Sequence, residues 1–153
     1  MKLDTSYFGE IKIDEEAILE FSEGILAFEN LRKFVIIDSQ EEELPFKWLQ
    51  SVDEGDISFI MIDPFLFKPD YEVELSDQVI EKLEIESEED VAIYTLLVIP
   101  ENVNEMTANL AGPIVINFKK KLGKQVVLED KRYHTKHRVI ADTRKEDRNA
   151  STV

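Results

Sequence analysis

Apolar residues in this chain come in short runs, many of them alternating, and Gly, Pro, Asp or Ser interrupts nearly every run. A period of two sends side chains to opposite faces of a strand, so such a chain hides apolar surface by laying strands together. Glu10–Ile13 puts Ile11 and Ile13 on one face, and Ile18–Phe21 leads into a turn at Ser22-Glu23-Gly24. Phe34–Asp38 is a β-branched run that gives way to the polar stretch Ser39–Glu43. Phe46–Val52 sets Phe46, Trp48 and Gln50 against Lys47, Leu49 and Ser51, with Trp48 expected in the core. Ser58–Ile62 stops at Asp63-Pro64, and Tyr71–Leu75 alternates Tyr71, Val73 and Leu75 with Glu72 and Glu74. Val91–Ile99, Ile114–Phe118 and Gln125–Leu128 complete the set. Short strands spaced by turn residues indicate an all-β sandwich or barrel.

One helix interrupts the pattern. Ser76 is placed to cap it, Asp77 suits its first turn, and Val79, Ile80 and Leu83 share a side. A second helical turn is expected near Glu101–Glu105. Gly123 separates Lys119–Lys121 from Gln125–Leu128, which predicts a hairpin with a lysine-rich turn. At 153 residues the chain fits one domain with a real core, here residues 1–140. Residues 141–153 are polar, of mixed charge and without periodicity, and are expected to form a disordered tail.

Charge is divided unevenly. Residues 1–118 hold 28 Asp and Glu against 7 Lys and Arg, whereas residues 119–153 hold 5 acids against 11 bases. An acidic body of this strength repels nucleic acid, attracts basic partners and speeds their encounter at low salt. The plainer reading of the same surface is solubility. The chain contains no cysteine, which excludes disulfides, thiolate metal sites and cysteine nucleophiles. Met1-Lys2-Leu3-Asp4 lacks the apolar run of a signal peptide, and no apolar stretch is long enough to span a bilayer as a helix. A cytoplasmic location, away from membranes, is expected.

Little here suits catalysis or cofactors. His134 and His137 sit among Lys131, Arg132, Lys136 and Arg138, whose charge disfavours a bound cation. Asp53, Glu54, Asp56 and Asp63 fall close together in sequence, but in polar loops where solvent keeps carboxylates ionised. No glycine-rich phosphate loop, serine-hydrolase signature or kinase signature is present. No cofactor and no metal are expected. Phe65-Leu66-Phe67 lies between Pro64 and Pro69 and reads either as core, the commoner fate of apolar residues, or as an exposed loop that grips a partner.

Three groups of residues together resemble one family. The first is Leu19-Glu20-Phe21-Ser22-Glu23-Gly24-Ile25 with Phe28-Glu29. The second is Pro45-Phe46-Lys47-Trp48-Leu49-Gln50-Ser51 with Asp53, Phe59 and Asp63-Pro64. The third runs from Thr107 through Asn109-Leu110-Ala111-Gly112-Pro113 to Asn117, continued by Gly123, Gln125–Leu128 and Tyr133. In this order and spacing residues 3–140 resemble the flagellar assembly factor family FliW. Two positions depart from its pattern: Ala27 stands where a glycine is expected, and Gly112 where alanine is frequent.

The resemblance implies a small β-barrel-like domain, mainly antiparallel, with one or two short helices and no catalysis. It also implies two alternative protein partners, flagellin and the RNA-binding translational regulator CsrA. When secretion drains flagellin, the freed protein would take CsrA off the flagellin message. Candidate contacts follow from side-chain chemistry. Asp53, Glu54, Asp56 and Asp63 would meet basic groups, Phe65 and Phe67 would anchor an apolar segment, and Asn102, Asn104 and Asn109 would offer amides. Exposed sheet edges would suit strand addition or helix docking. Two other readings are a small acidic β-barrel enzyme and nucleic-acid binding through Lys119–Lys121, Lys124, Lys131, Arg132, Lys136 and Arg138, with Tyr133 for stacking. The net charge of −15 opposes the second.

Overall fold

Eleven strands and one short helix form along the chain in a computed structural model that describes residues 1–39 and 45–140. The strands are β1 (Lys2–Thr5), β2 (Gly9–Lys12), β3 (Leu19–Glu20), β4 (Lys33–Asp38), β5 (Lys47–Ser51), β6 (Ser58–Ile62), β7 (Val91–Val98), β8 (Thr107–Ala108), β9 (Ile114–Asn117), β10 (Leu122–Gln125) and β11 (His137–Arg138). The helix is α1 (Asp77–Lys82). Hydrogen bonds link β7, β6, β5, β4, β3, β10 and β9 in that order, and β9 returns to β7, so the sheet closes into a barrel. Strand β7 does this by dividing its length. Val91–Tyr94 pairs with β9, and Leu97–Val98 pairs with β8, which carries β11. Every pairing is antiparallel except that of β3 with β10, which is parallel and meets at Leu122 and Glu20. Closure leaves few edges, and therefore few free backbone groups, to the solvent.

Alternation fills the barrel and also coats it. Phe21, Phe34, Leu49, Met61, Ile114 and Ile116 are completely buried and pack together inside. Their neighbours point outward yet are covered. Val115 lies beneath Val79 of α1 and Leu83, the residue that caps its C-terminus, and Ile62, Leu97 and Ala108 pack with Met106 and Val139. Strand β9 is thus buried at all four positions: Ile114–Ile116 read as an apolar run, and the Asn117 amide donates to the Leu83 and Glu84 carbonyls. Burying each Val or Leu side chain contributes roughly 1.5–3 kcal/mol. Helix α1 is held as its sequence dictates: the Ser76 hydroxyl accepts the Val79 N–H at 3.3 Å, Asp77 occupies the first turn and Lys82 the last.

Hairpin β1–β2 forms its own small sheet and clips onto the outside of β5. Tyr7 stacks on Trp48 with ring centroids 5.8 Å apart, and Phe8 meets the same ring edge-on at 5.7 Å. Trp48 therefore sits outside the barrel under the hairpin, and Leu49 takes the inner place on β5. A period of two yields two faces, and on a coated barrel both are apolar.

Other expectations are corrected. Tyr71–Leu75 joins no ladder. The strand expected at Gln125–Leu128 is displaced toward the N-terminus, to Leu122–Gln125. The lysine turn exists, but its left-handed residue is Lys121 (φ 60°), and Gly123 lies within β10. The helical turn near Glu101–Glu105 is a 3-10 turn over Val103–Glu105. The expected tail, 141–153, lies outside the described residues.

Candidate protein-binding surface

The acidic positions are not one cluster. Asp53, Glu54 and Asp56 occupy the β5–β6 turn, whereas Asp63 caps the opposite end of β6, five residues of strand away. Most of these carboxylates have work within the fold. Asp53 accepts the backbone N–H groups of Arg32 and Lys33 at 3.0 and 3.1 Å, tying the start of β4 to this turn. Asp56 accepts the Ser6 hydroxyl and holds the N-terminal hairpin. Asp63 accepts the Phe65 N–H at 2.9 Å and starts the 3-10 turn Pro64–Leu66. Only Glu54 has an exposed carboxylate with no bond of its own among the described residues.

The amides behave similarly. Asn102 caps the turn Val103–Glu105 by accepting the Asn104 N–H at 3.1 Å, and the Asn104 carbonyl accepts from Arg138. Asn109 accepts the Gly112 N–H at 2.9 Å and closes the turn that delivers Leu110 to the core. The Phe-Leu-Phe triplet divides. Phe67 is half-buried against the β8–β11 side with its ring stacked on His137 at 5.9 Å. Phe65 and Leu66 are 40% and 62% exposed, the exposed-loop alternative of the two, with the Phe65 ring set against Tyr71 at 5.8 Å.

A further feature lies along the segment that follows Tyr71. An open groove of about 870 Å³ runs between residues 72–79, which lead into and begin α1, and residues 124–130. Ion pairs tie both ends. Arg132 bonds Glu72 on one wall and Asp130 on the other, and Glu23 bonds Lys124 and Lys82. Hydrogen bonds from Arg132 hold the Asp130 carboxyl below the usual range, and partial burial lowers the Lys124 ammonium. Between these ties the lining is apolar: Leu26 and Val127 are 55% and 64% exposed, above Leu75, Val79 and Val126. Five acids and two bases line it, and the carboxylates of Glu74 and Glu129 have no partner among the described residues.

This groove had no signature in the sequence, because three distant segments build it. Gln125 ties one of them, the Leu26 loop, to the end of β10. Its amide donates to the Gly112 carbonyl at 3.0 Å, and its side-chain oxygen accepts the Leu26 N–H at 2.9 Å. Among the described residues no three of His, Cys, Asp and Glu converge as a metal site would require.

A family model described as FliW protein matches residues 2–139. A flagellar assembly factor FliW from Alkaliphilus metalliredigens is 47% identical over 145 residues, covering 95% of this chain and 90% of that protein. Its counterpart from Caldicellulosiruptor bescii is 53% identical over 126 residues, covering 82% of each chain. A crystal structure of the flagellar assembly factor FliW superposes with a TM-score of 0.85 at 43% identity, over 91% of this chain and 96% of that one. The match runs from β1 to β11 and takes in the whole barrel, and the chain belongs to the FliW family.

Proposed function

We propose that this protein acts in the cytoplasm as a non-enzymatic partner switch, binding flagellin and, alternatively, the translational regulator CsrA. Free of flagellin it engages CsrA and relieves the block on flagellin synthesis; loaded with flagellin it leaves CsrA on the message. The observation that carries this reading is the acidic body, net −21 over residues 1–118, in a chain whose relatives are named flagellar assembly factors. Such a field draws in a basic RNA-binding protein and opposes phosphates beside it. Two partners exclude one another when their footprints overlap or when each bound state disfavours the other.

The test is a pull-down from cytosol with the tagged protein, repeated after adding flagellin. Recovery of a small basic RNA-binding protein, lost on addition of flagellin, is the expected result. Recovery of neither partner would overturn the reading.

A further inference from the structure

Strand β3 pairs with β10 for a single residue, then turns away at Ser22–Gly24. Beyond that point one edge of segment 125–129 has no backbone-bonded neighbour among the described residues. Val126 and Leu128 send their N–H groups to the Pro113 and Ala111 carbonyls, at 2.9 and 2.8 Å. In an extended chain alternate residues direct N–H and C=O to opposite edges, so Val127 and Glu129 direct theirs away from that bonded side. The backbone groups of both have no hydrogen-bond partner among the described residues. This bare edge borders the groove, with the Val127 side chain exposed beside it.

We infer that the groove is a strand-addition site for an extended segment in which apolar residues alternate with Lys or Arg. The added strand would continue along β10 where β3 stops, exchanging main-chain bonds with Val127 and Glu129. Its apolar side chains, all on one face, would cover Leu26 and Val127. Its cations, on the opposite face, would turn toward the wall that carries Glu74 and lie in the field of Glu129; these are the two lining carboxylates that Arg132 and Lys124 leave uncompensated. The excess of acids over bases in the lining selects a basic segment over an acidic one. The inference rests on the reading that the protein works by binding other proteins, but not on which partner is bound.

The probe is a fluorescent peptide of about ten residues alternating Val or Thr with Lys, long enough to span the wall. Binding is followed by anisotropy at low and moderate salt, and amide signals of the intact protein are followed by NMR. The expected result is saturable binding that weakens with salt, with the largest shifts at Val127 and Glu129. Val127→Pro removes an N–H that makes no internal bond, so the fold should survive while affinity falls about tenfold or more. Val127→Thr keeps the N–H and should lose far less affinity than the proline variant. A proline variant that binds the peptide unchanged would overturn strand addition. So would a wild-type chain that ignores the peptide at low salt. If that chain still captured flagellin or CsrA, the groove assignment would fail while the partner switch stood.

Discussion

The ring of Phe21 fills the space that a side chain on Gly123 would need. A methyl group there would stand 2.4 Å from two ring carbons. The ring cannot retreat, because it is completely buried and packed edge-on against Phe34 at 5.1 Å. Gly123→Ala should therefore cost about 2–3 kcal/mol, the usual penalty for overpacking a rigid core. A urea titration followed by tryptophan fluorescence would measure it, and a midpoint equal to wild type would show that the ring yields.

Ala27 has φ 72°, in the left-handed region, where side chains cost about 1 kcal/mol. Ala27→Gly relieves that cost and loses somewhat less in chain entropy, so a gain of up to about 0.5 kcal/mol is expected. Gly24 (φ 66°) is the opposite case. A methyl group there meets the Glu29 backbone at 2.6 Å, and Gly24→Ala should be strongly destabilising. Thermal unfolding of the two variants side by side gives the comparison; shifts of the same sign would refute it.

Asp53 and Glu54 are adjacent in sequence but should separate by experiment. Asp53→Ala leaves the Arg32 and Lys33 N–H groups without their acceptor and should lower stability by about 1–2 kcal/mol. Glu54→Lys breaks no bond, so unfolding should be unchanged while association with a basic partner slows, chiefly at low salt. Stopped-flow association at two salt concentrations, with denaturant midpoints alongside, reads both quantities. Equal on-rates for Glu54→Lys and the parent would remove this residue from the encounter surface.

Tyr71 donates its hydroxyl to the Leu110 carbonyl at 2.6 Å, and burial raises its pKa well above the ordinary 10.0. The unfolded chain would ionise this phenol first, so its contribution to stability is complete below about pH 10 and is lost as the pH rises past that value toward the folded one. Melting temperature should fall on the alkaline side. Tyr71→Phe should cost about 1 kcal/mol at neutral pH for the lost bond and make the alkaline decline shallower. An identical alkaline slope in the two proteins would place the titration elsewhere, with Tyr94, also raised by burial, the next group to test.

Much of the barrel was legible because strands reveal themselves by period and turns by residue type. Lys33–Asp38, Ser58–Ile62 and the capped helix after Ser76 fall where the pattern puts them. What failed did so for physical reasons. Tyr71–Leu75 alternates because one side packs on the barrel and the other faces water, which half-burial alone produces without any ladder. Trp48 was misplaced because a coated barrel gives its strands two apolar faces. Gly123 reads as a turn residue, and only the buried Phe21 ring explains its place inside a strand. For the candidate surface, residue types pointed to loops and charge correctly. They could not show that Asp53, Asp56 and Asp63 are engaged in local bonds, or that Leu26, Glu74 and Val127 meet across a groove.

The barrel is joined between β3 and β10 by one residue pair, with the Glu20 N–H bonded to the Lys121 carbonyl at 2.9 Å. A cylinder parts first along its shortest seam, so this is where thermal breathing should begin. The Glu20 amide should exchange with deuterium sooner than those of β4 and β5, which are laced by five consecutive pairs. A guest strand lying just past the seam would act as a splint, slowing that exchange without touching Glu20 itself.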